Sequence, residues 1–248
     1  MGSFSNWQIF LSVVTPTVVG FLICLLERKG PLALSLQRPI GLVAPYFTVI
    51  SILFGLVAAL LMSDVWQKDT AAHQSIQAED DAMRAILAMA RINRIEATVV
   101  PDLKAYAAAA GKESPYSRAG KTARDDTDRA YQALLGTLSN AGDLDAPVKA
   151  NLLATANELR HARDRRLYLA DDETAPIKWL SALVLGALTQ IALLLVHTGN
   201  RRATRVGIAL FTVAFTFCLV IIALFDQPFE LVLSNEPGAT LSRTLAGL

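Results

Sequence analysis

Four stretches without a charged side chain, Trp7–Leu26, Leu42–Met62, Trp179–His197 and Val206–Phe225, constrain this chain more than any other feature of it. Each has the roughly 20 apolar residues that carry a helix across about 30 Å of hydrocarbon, where the backbone can satisfy its polar groups only within regular structure. The chain therefore reads as an all-α integral membrane protein with four transmembrane helices in two hairpins, residues 1–62 and residues 176–248, the second with a short tail. Residues 63–175 between them are polar, with 15 Lys and Arg against 18 Asp and Glu from Ser63 to Ala175. This insert reads as a slightly acidic helical extramembrane domain. The first stretch has no basic segment before it and is followed by Glu27-Arg28-Lys29, so it is expected to remain as a span rather than be cleaved.

The remaining composition excludes several classes. A net charge of +1 gives no basic surface for phosphates, so no nucleic-acid partner is expected. Cys24 and Cys218 both fall inside apolar stretches and read as small buried hydrophobes, not as a disulfide or metal pair. His73, His161 and His197 are scattered, and no HExxH, P-loop or GxSxG pattern occurs. Glu158 and His161 have the Glu-x-x-His spacing of carboxylate-bridged di-iron bundles, but no second copy accompanies them and a solvated helix pair explains them. No catalytic residue, cofactor or metal site is expected, and enzymatic activity ranks last.

Beyond Met62 the apolar pattern continues through Val65, Ala72, Ile76, Met83, Leu87 and Ala90, in steps that mark one face of a helix. The second span is thus expected to run on as a rod to Val100, about 90 Å at 1.5 Å per residue, with Pro101 kinking it or starting a new helix. Gly111 to Gly120 with Pro115 reads as a loop, and a helix is predicted from Lys121 to about Ser139. Asp145 and Pro147 open another that runs to about Ala170.

Three groups of residues are candidates for function. Gln8, Ser12 and Thr15 share one face of the first span, as a polar seam along a conduit or, more ordinarily, as hydrogen-bonding glue between helices. Phe47, Ile50, Phe54 and Val57 on the second span could form an apolar constriction that gates by dewetting, or face lipid. Ser51, Gly55 and Ala59 give the same span a small-residue stripe where another helix can approach. Arg160, Arg163, Arg165 and Arg166 form a basic stripe ahead of the third span, an anion-attracting or lipid-headgroup surface; the plainer account pairs it in water with Glu158 and Asp164. On the third span Gln190 and His197 share a face with Gly186. Short-loop charges, Arg28, Lys29 and Arg38 in one hairpin and Arg201, Arg202 and Arg205 in the other, place those loops in the cytoplasm and the insert outside, while the arginines near the third span pull the other way.

The run from Leu53 to Trp66, the Glu79 to Leu87 stretch and the terminal Phe225-Asp226-Gln227-Pro228-Phe229 to Ser234 string resemble the bestrophin-like family of bacterial membrane proteins. Family members usually carry glycine after the Pro-Phe pair, where this chain has Glu230. The resemblance implies four spans with helices emerging from the second, a cytoplasmic insert, a place in the bacterial plasma (inner) membrane and distant kinship with pentameric bestrophin anion channels that have a hydrophobic neck on the second span. It does not extend to a calcium-binding acidic cluster. The leading expectation is a homo-oligomeric channel or pore for small ions, embedded in the lipid bilayer, with the second span lining a central path. A transmembrane sensor acting through its helical domain is the alternative, and a membrane scaffold the third.

Overall fold

The apolar periodicities are realised as seven helices, with no strand among the described residues. The structure is a computed structural model that describes residues 4–29, 43–113, 118–141, 144–171, 175–197 and 201–226, together with positions 240 and 243. In chain order the helices are α1 (Phe4–Lys29), α2 (Val43–Ile92), α3 (Glu96–Ala110), α4 (Arg118–Asn140), α5 (Ala146–Asp171), α6 (Pro176–Val196) and α7 (Arg201–Asp226). The chain divides into two units, one of Gly2–Gln67 with Thr174–Asp226 and one built on Lys68–Glu173, and the boundary falls inside α2.

The first unit is built mainly of apolar helices. Three of its helices, α2, α6 and α7, are long and apolar enough to cross a membrane; α1 carries a shorter apolar run among described residues, Phe10–Leu25. Packing here depends on aromatic contact. Phe54 of α2 meets Phe215 of α7 edge-on, centroids 5.1 Å apart, and Phe211 at 5.6 Å. Phe215 is fully buried because Gly186 lets its ring lie on the α6 backbone: a Cβ at Gly186 would fall 2.0 Å from the ring's Cζ. A neighbouring cluster joins Ile23 of α1 to Leu193, Leu194 and Ile208, with Phe47 against it.

Several polar groups inside this unit are tied off. Pro16 removes one backbone donor from α1 and so interrupts its ladder. Close by, the fully buried Gln190 of α6 donates both hydrogens of its amide, one to the Pro16 carbonyl at 3.2 Å and one to Thr212 Oγ1 of α7 at 2.8 Å. At the end of the apolar stretches, Lys178 Nζ donates to Asp64 at 2.8 Å and the Trp179 indole N–H donates to Asp226 at 3.3 Å. An aromatic residue with a polar handle belongs at such an edge.

In the second unit the remainder of α2 packs with α3, α4 and α5 around Met83, Ile86, Leu103, Leu134, Leu138, Leu152 and Leu159, each at or below 1% exposure. Each such side chain withdrawn from water contributes about 1.5–3 kcal/mol. The α3–α4 hairpin is pinned across its far end by Thr137, whose hydroxyl donates to Asp102 at 2.6 Å. Helices α4 and α5 start and stop within a few residues of the predicted positions.

The long rod ends earlier than its periodicity suggests. Helix α2 stops at Ile92, and Pro101 lies inside α3 without breaking it. The break is a left-handed cap: Arg94 has φ 59°, Ile95 N–H bonds the Ala90 carbonyl at 2.9 Å and Arg94 N–H the Arg91 carbonyl at 3.1 Å. That bonding pattern satisfies the last carbonyls of a helix and usually recruits glycine. Pro101 is tolerated because the carbonyl it cannot serve belongs to Ala97, which is exposed to solvent.

Candidate functional site

Two arrangements stand out, one in each unit. In the polar unit, four helices converge on a buried set of charges. Arg166 of α5 grips Glu79 of α2 with two bonds, Nε to Oε2 at 2.7 Å and Nη2 to Oε1 at 3.3 Å, and also donates to Glu113 Oε2 at 2.8 Å. Arg163, one turn earlier, reaches the other oxygen of Glu113 through Nε at 3.0 Å and Nη2 at 2.7 Å, and Asp128 of α4 through Nη1 at 2.6 Å. The Tyr106 hydroxyl of α3 donates to Glu79 at 2.8 Å. Side-chain exposure is 5% or less for Glu79, Glu113, Arg163 and Arg166, against 65% for Asp128.

The four buried charges cancel, which lets them persist where a lone charge could not. Burial alone would lower the pKa of the two guanidinium groups. Glu113 and Asp128 around Arg163, and Glu79 and Glu113 around Arg166, outweigh it and hold both arginines above their ordinary range. Burial, reinforced by the charge and hydrogen bond of Glu79, pushes the Tyr106 phenol well above its usual value. The network is a lock between helices. No cluster among the described residues could hold a metal ion.

The basic stripe is therefore divided. Arg163 and Arg166 point inward; Arg160 and Arg165 are exposed, Arg160 lying 3.8 Å from Asp164 and over the Tyr131 ring at 5.9 Å. The local pairing with Asp164 applies to Arg160, whereas Arg163 and Arg166 take partners distant in sequence in place of Glu158 and Asp164, a correction to the solvated stripe. Tertiary burial overrides the i, i+4 rule because a carboxylate in a dry core binds a guanidinium far more strongly than one in water. The sequence reading missed Glu79, Tyr106 and Glu113. The signal for Glu79 was its register: it stands between Ile76 and Met83 on the apolar face of α2.

In the apolar unit the second arrangement is the free face of α2. Ile52, Leu56 and Leu60 stand in one row at four-residue spacing, 64%, 56% and 62% exposed, flanked by exposed Gly55 and Ala59. The residues expected to form a constriction lie elsewhere on the helix. Phe54 and Val57 pack into the cluster with Leu61, Phe215 and Leu219, Phe47 packs beside Ile23, and Ile50 is half-buried. Of the polar seam, Ser12 is fully buried and Thr15 half-buried; the Gln8 side chain lies outside the described residues. The same holds for the side chains of Arg28, Lys29, Arg38 and Arg201 and for positions 227–234 of the tail string.

A family profile described as Bestrophin-like domain matches residues 14–234. Among solved structures, a variant of a bacterial bestrophin homologue from Klebsiella pneumoniae superposes with a TM-score of 0.70 at 14% identity, covering 98% of this chain and 99% of that one. A second structure of that homologue, phased on zinc, gives 0.71 at 14% identity over 98% and 97%. A variant of a membrane protein gives 0.74 at 15% identity over 97% and 98%. No curated protein matches the sequence. At these identities the superpositions speak for the fold, and the profile match, which spans most of the chain, decides the family: this membrane protein belongs to the bestrophin-like family.

Proposed function

We propose that the chain is one protomer of a homo-oligomeric channel for small ions in a bacterial inner membrane, with α1, α2, α6 and α7 as its four spans and α2 lining the central path. It acts as a conduit, not a catalyst. One observation carries the reading: of the three helices long and apolar enough to cross a membrane, α2 is the one its own protomer covers least. Only 11% of its most apolar window is buried, against 44% for α6 and 28% for α7. A span so little used within the protomer has the most surface to give to neighbouring copies, and exposed Gly55 and Ala59 permit close approach. Ile52, Leu56 and Leu60 then face the axis as an apolar neck, in place of Phe54 and Val57, which the protomer's own packing occupies. Such a ring resists ions by dewetting until it widens. Kinship with bestrophin homologues supports the same reading.

The experiment is ion flux into liposomes carrying the purified protein. Leu56→Ala is expected to raise flux severalfold and Leu56→Trp to abolish it; absence of any flux above empty liposomes for the wild-type and Leu56→Ala proteins alike overturns the proposal. Transmembrane sensing remains the second reading, favoured by the continuity of α2 from one unit into the next. Flux-negative protein whose oligomer survives would favour it.

A further inference from the structure

The lipid-facing surface of the apolar unit is not smooth. Between α1 and α7 runs an open groove of about 690 Å³. Its α7 lining extends from Arg205 to Val220, about 22 Å at 1.5 Å per residue, which exceeds the roughly 15 Å of hydrocarbon in one leaflet. Its floor is shallow because Gly20 lets the two helices nearly touch: a Cβ there would fall 2.8 Å from Thr212 Oγ1. Phe21 and Phe217, 63% and 67% exposed, flank it. A trough of this kind in a bilayer cannot stay empty, and its mostly apolar lining gives water few partners.

We propose that this groove seats an acyl chain of an anionic phospholipid whose phosphate lies against Arg205. The charge pattern selects that occupant. Arg205 is the last charged residue before the twenty uncharged positions 206–225, so it marks the headgroup level of α7. Arg202, also exposed, adds a second cation one turn earlier, and both sit at the positive end of the helix dipole. The first carboxylate on α7 is Asp226, at the opposite end of the helix. The sequence closing α1, Glu27-Arg28-Lys29, carries a net positive charge as well. A second copy of the chain laid in the groove would press apolar side chains on Arg205, whereas a lipid offers hydrocarbon to the trough and phosphate to the arginine. The inference needs only that the unit is embedded in a bilayer; it does not depend on ion conduction.

Native mass spectrometry of the delipidated full chain, titrated with dioleoyl phosphatidylglycerol or dioleoyl phosphatidylcholine, tests it. Retention of phosphatidylglycerol is expected to exceed that of phosphatidylcholine about fivefold for each engaged cation. Arg205→Gln should bring the ratio down about fivefold. Thr216→Trp, which fills the trough, should lower retention of both at least tenfold; Ala209→Leu, at an exposed position, serves the same purpose if the larger residue disturbs the fold. Equal retention of the two lipids by the wild-type protein overturns the proposal, as does unchanged retention in the filled variants. So does rapid disulfide formation between copies at Val213→Cys in a background lacking Cys24 and Cys218, which would seat a second copy there.

Discussion

Arg166 and Glu79, 87 positions apart in sequence, meet through two hydrogen bonds of 2.7 and 3.3 Å with 3% and 1% of their side chains exposed. A pair of this kind fixes α5 against α2 in one register, since displacing either helix by a turn leaves a charge in the core without its counterpart. Its contribution is best measured by removing one member.

Arg166→Ala is expected to cost about 3–5 kcal/mol in the polar unit, because Glu79 would lose both of its arginine bonds and Glu113 one of its three in a buried site. Arg165→Ala, on the exposed side of the same helix, should change stability by no more than about 0.5 kcal/mol. Urea unfolding of the full chain in detergent, followed by circular dichroism, compares the two; equal effects would contradict the buried geometry.

Alkaline pH should weaken the same unit. The Tyr106 pKa is raised by burial and by Glu79, so the folded state keeps the phenolic proton after the unfolded chain has begun to release it. The stability gained is fully present below about pH 10, the ordinary tyrosine value, and falls as pH rises beyond it. Thermal midpoints between pH 8 and 11 should therefore drop above pH 10 in the wild-type protein. Tyr106→Phe should start lower, having lost a hydrogen bond to a charged acceptor, and should show a flatter slope; Tyr131, also raised by burial, contributes to what slope remains.

Arg94 holds a left-handed conformation that costs a residue with a Cβ roughly 1–2 kcal/mol. Arg94→Gly relieves it, less the added freedom of glycine in the unfolded chain, for a net stabilisation of about 0.5–1 kcal/mol. A rise in the unfolding midpoint would confirm the cap; a fall would mean that Arg94 makes contacts that outweigh its backbone strain.

Gly186→Ala is expected to destabilise the apolar unit by about 1–3 kcal/mol, since the new methyl group would overlap the Phe215 ring. Pairing it with Phe215→Leu should recover part of the loss. Heat-induced aggregation in detergent, scored by size-exclusion fluorescence, reads both variants, and strictly additive losses would refute the contact.

The apolar helices were legible because hydrocarbon imposes a length and excludes charge, a constraint read directly from residues 42–62, 179–197 and 206–225. The insert helices α4 and α5 were legible from Gly, Pro and Asp at their ends. The end of α2 was not, because its cap uses Arg94 where a glycine would have announced it. The buried charges were half legible: Arg163 and Arg166 stand on the α5 face that carries Leu152, Ala156 and Leu159, a register at odds with solvent, but their partners are Glu79 of α2 and Glu113 just past the end of α3, whose pairing with α5 no local rule supplies. The inward turn of Phe54 was hidden for a related reason. An apolar span looks alike on every face in sequence, and only the position of Gly186 and the three phenylalanines decides which side the protomer keeps.

The amide of Gln190 carries a mechanical consequence. By holding the Pro16 carbonyl and the Thr212 hydroxyl at once, it staples α1, α6 and α7 where no solvent can substitute for a broken bond. Sliding any one of these three past the others means stranding polar atoms in oil, so they behave as a stator. Whatever rearrangement this unit undergoes is left to α2, whose grip on the rest, apart from the Asp64–Lys178 pair at the edge, is made of greasy contacts that can slip and re-form.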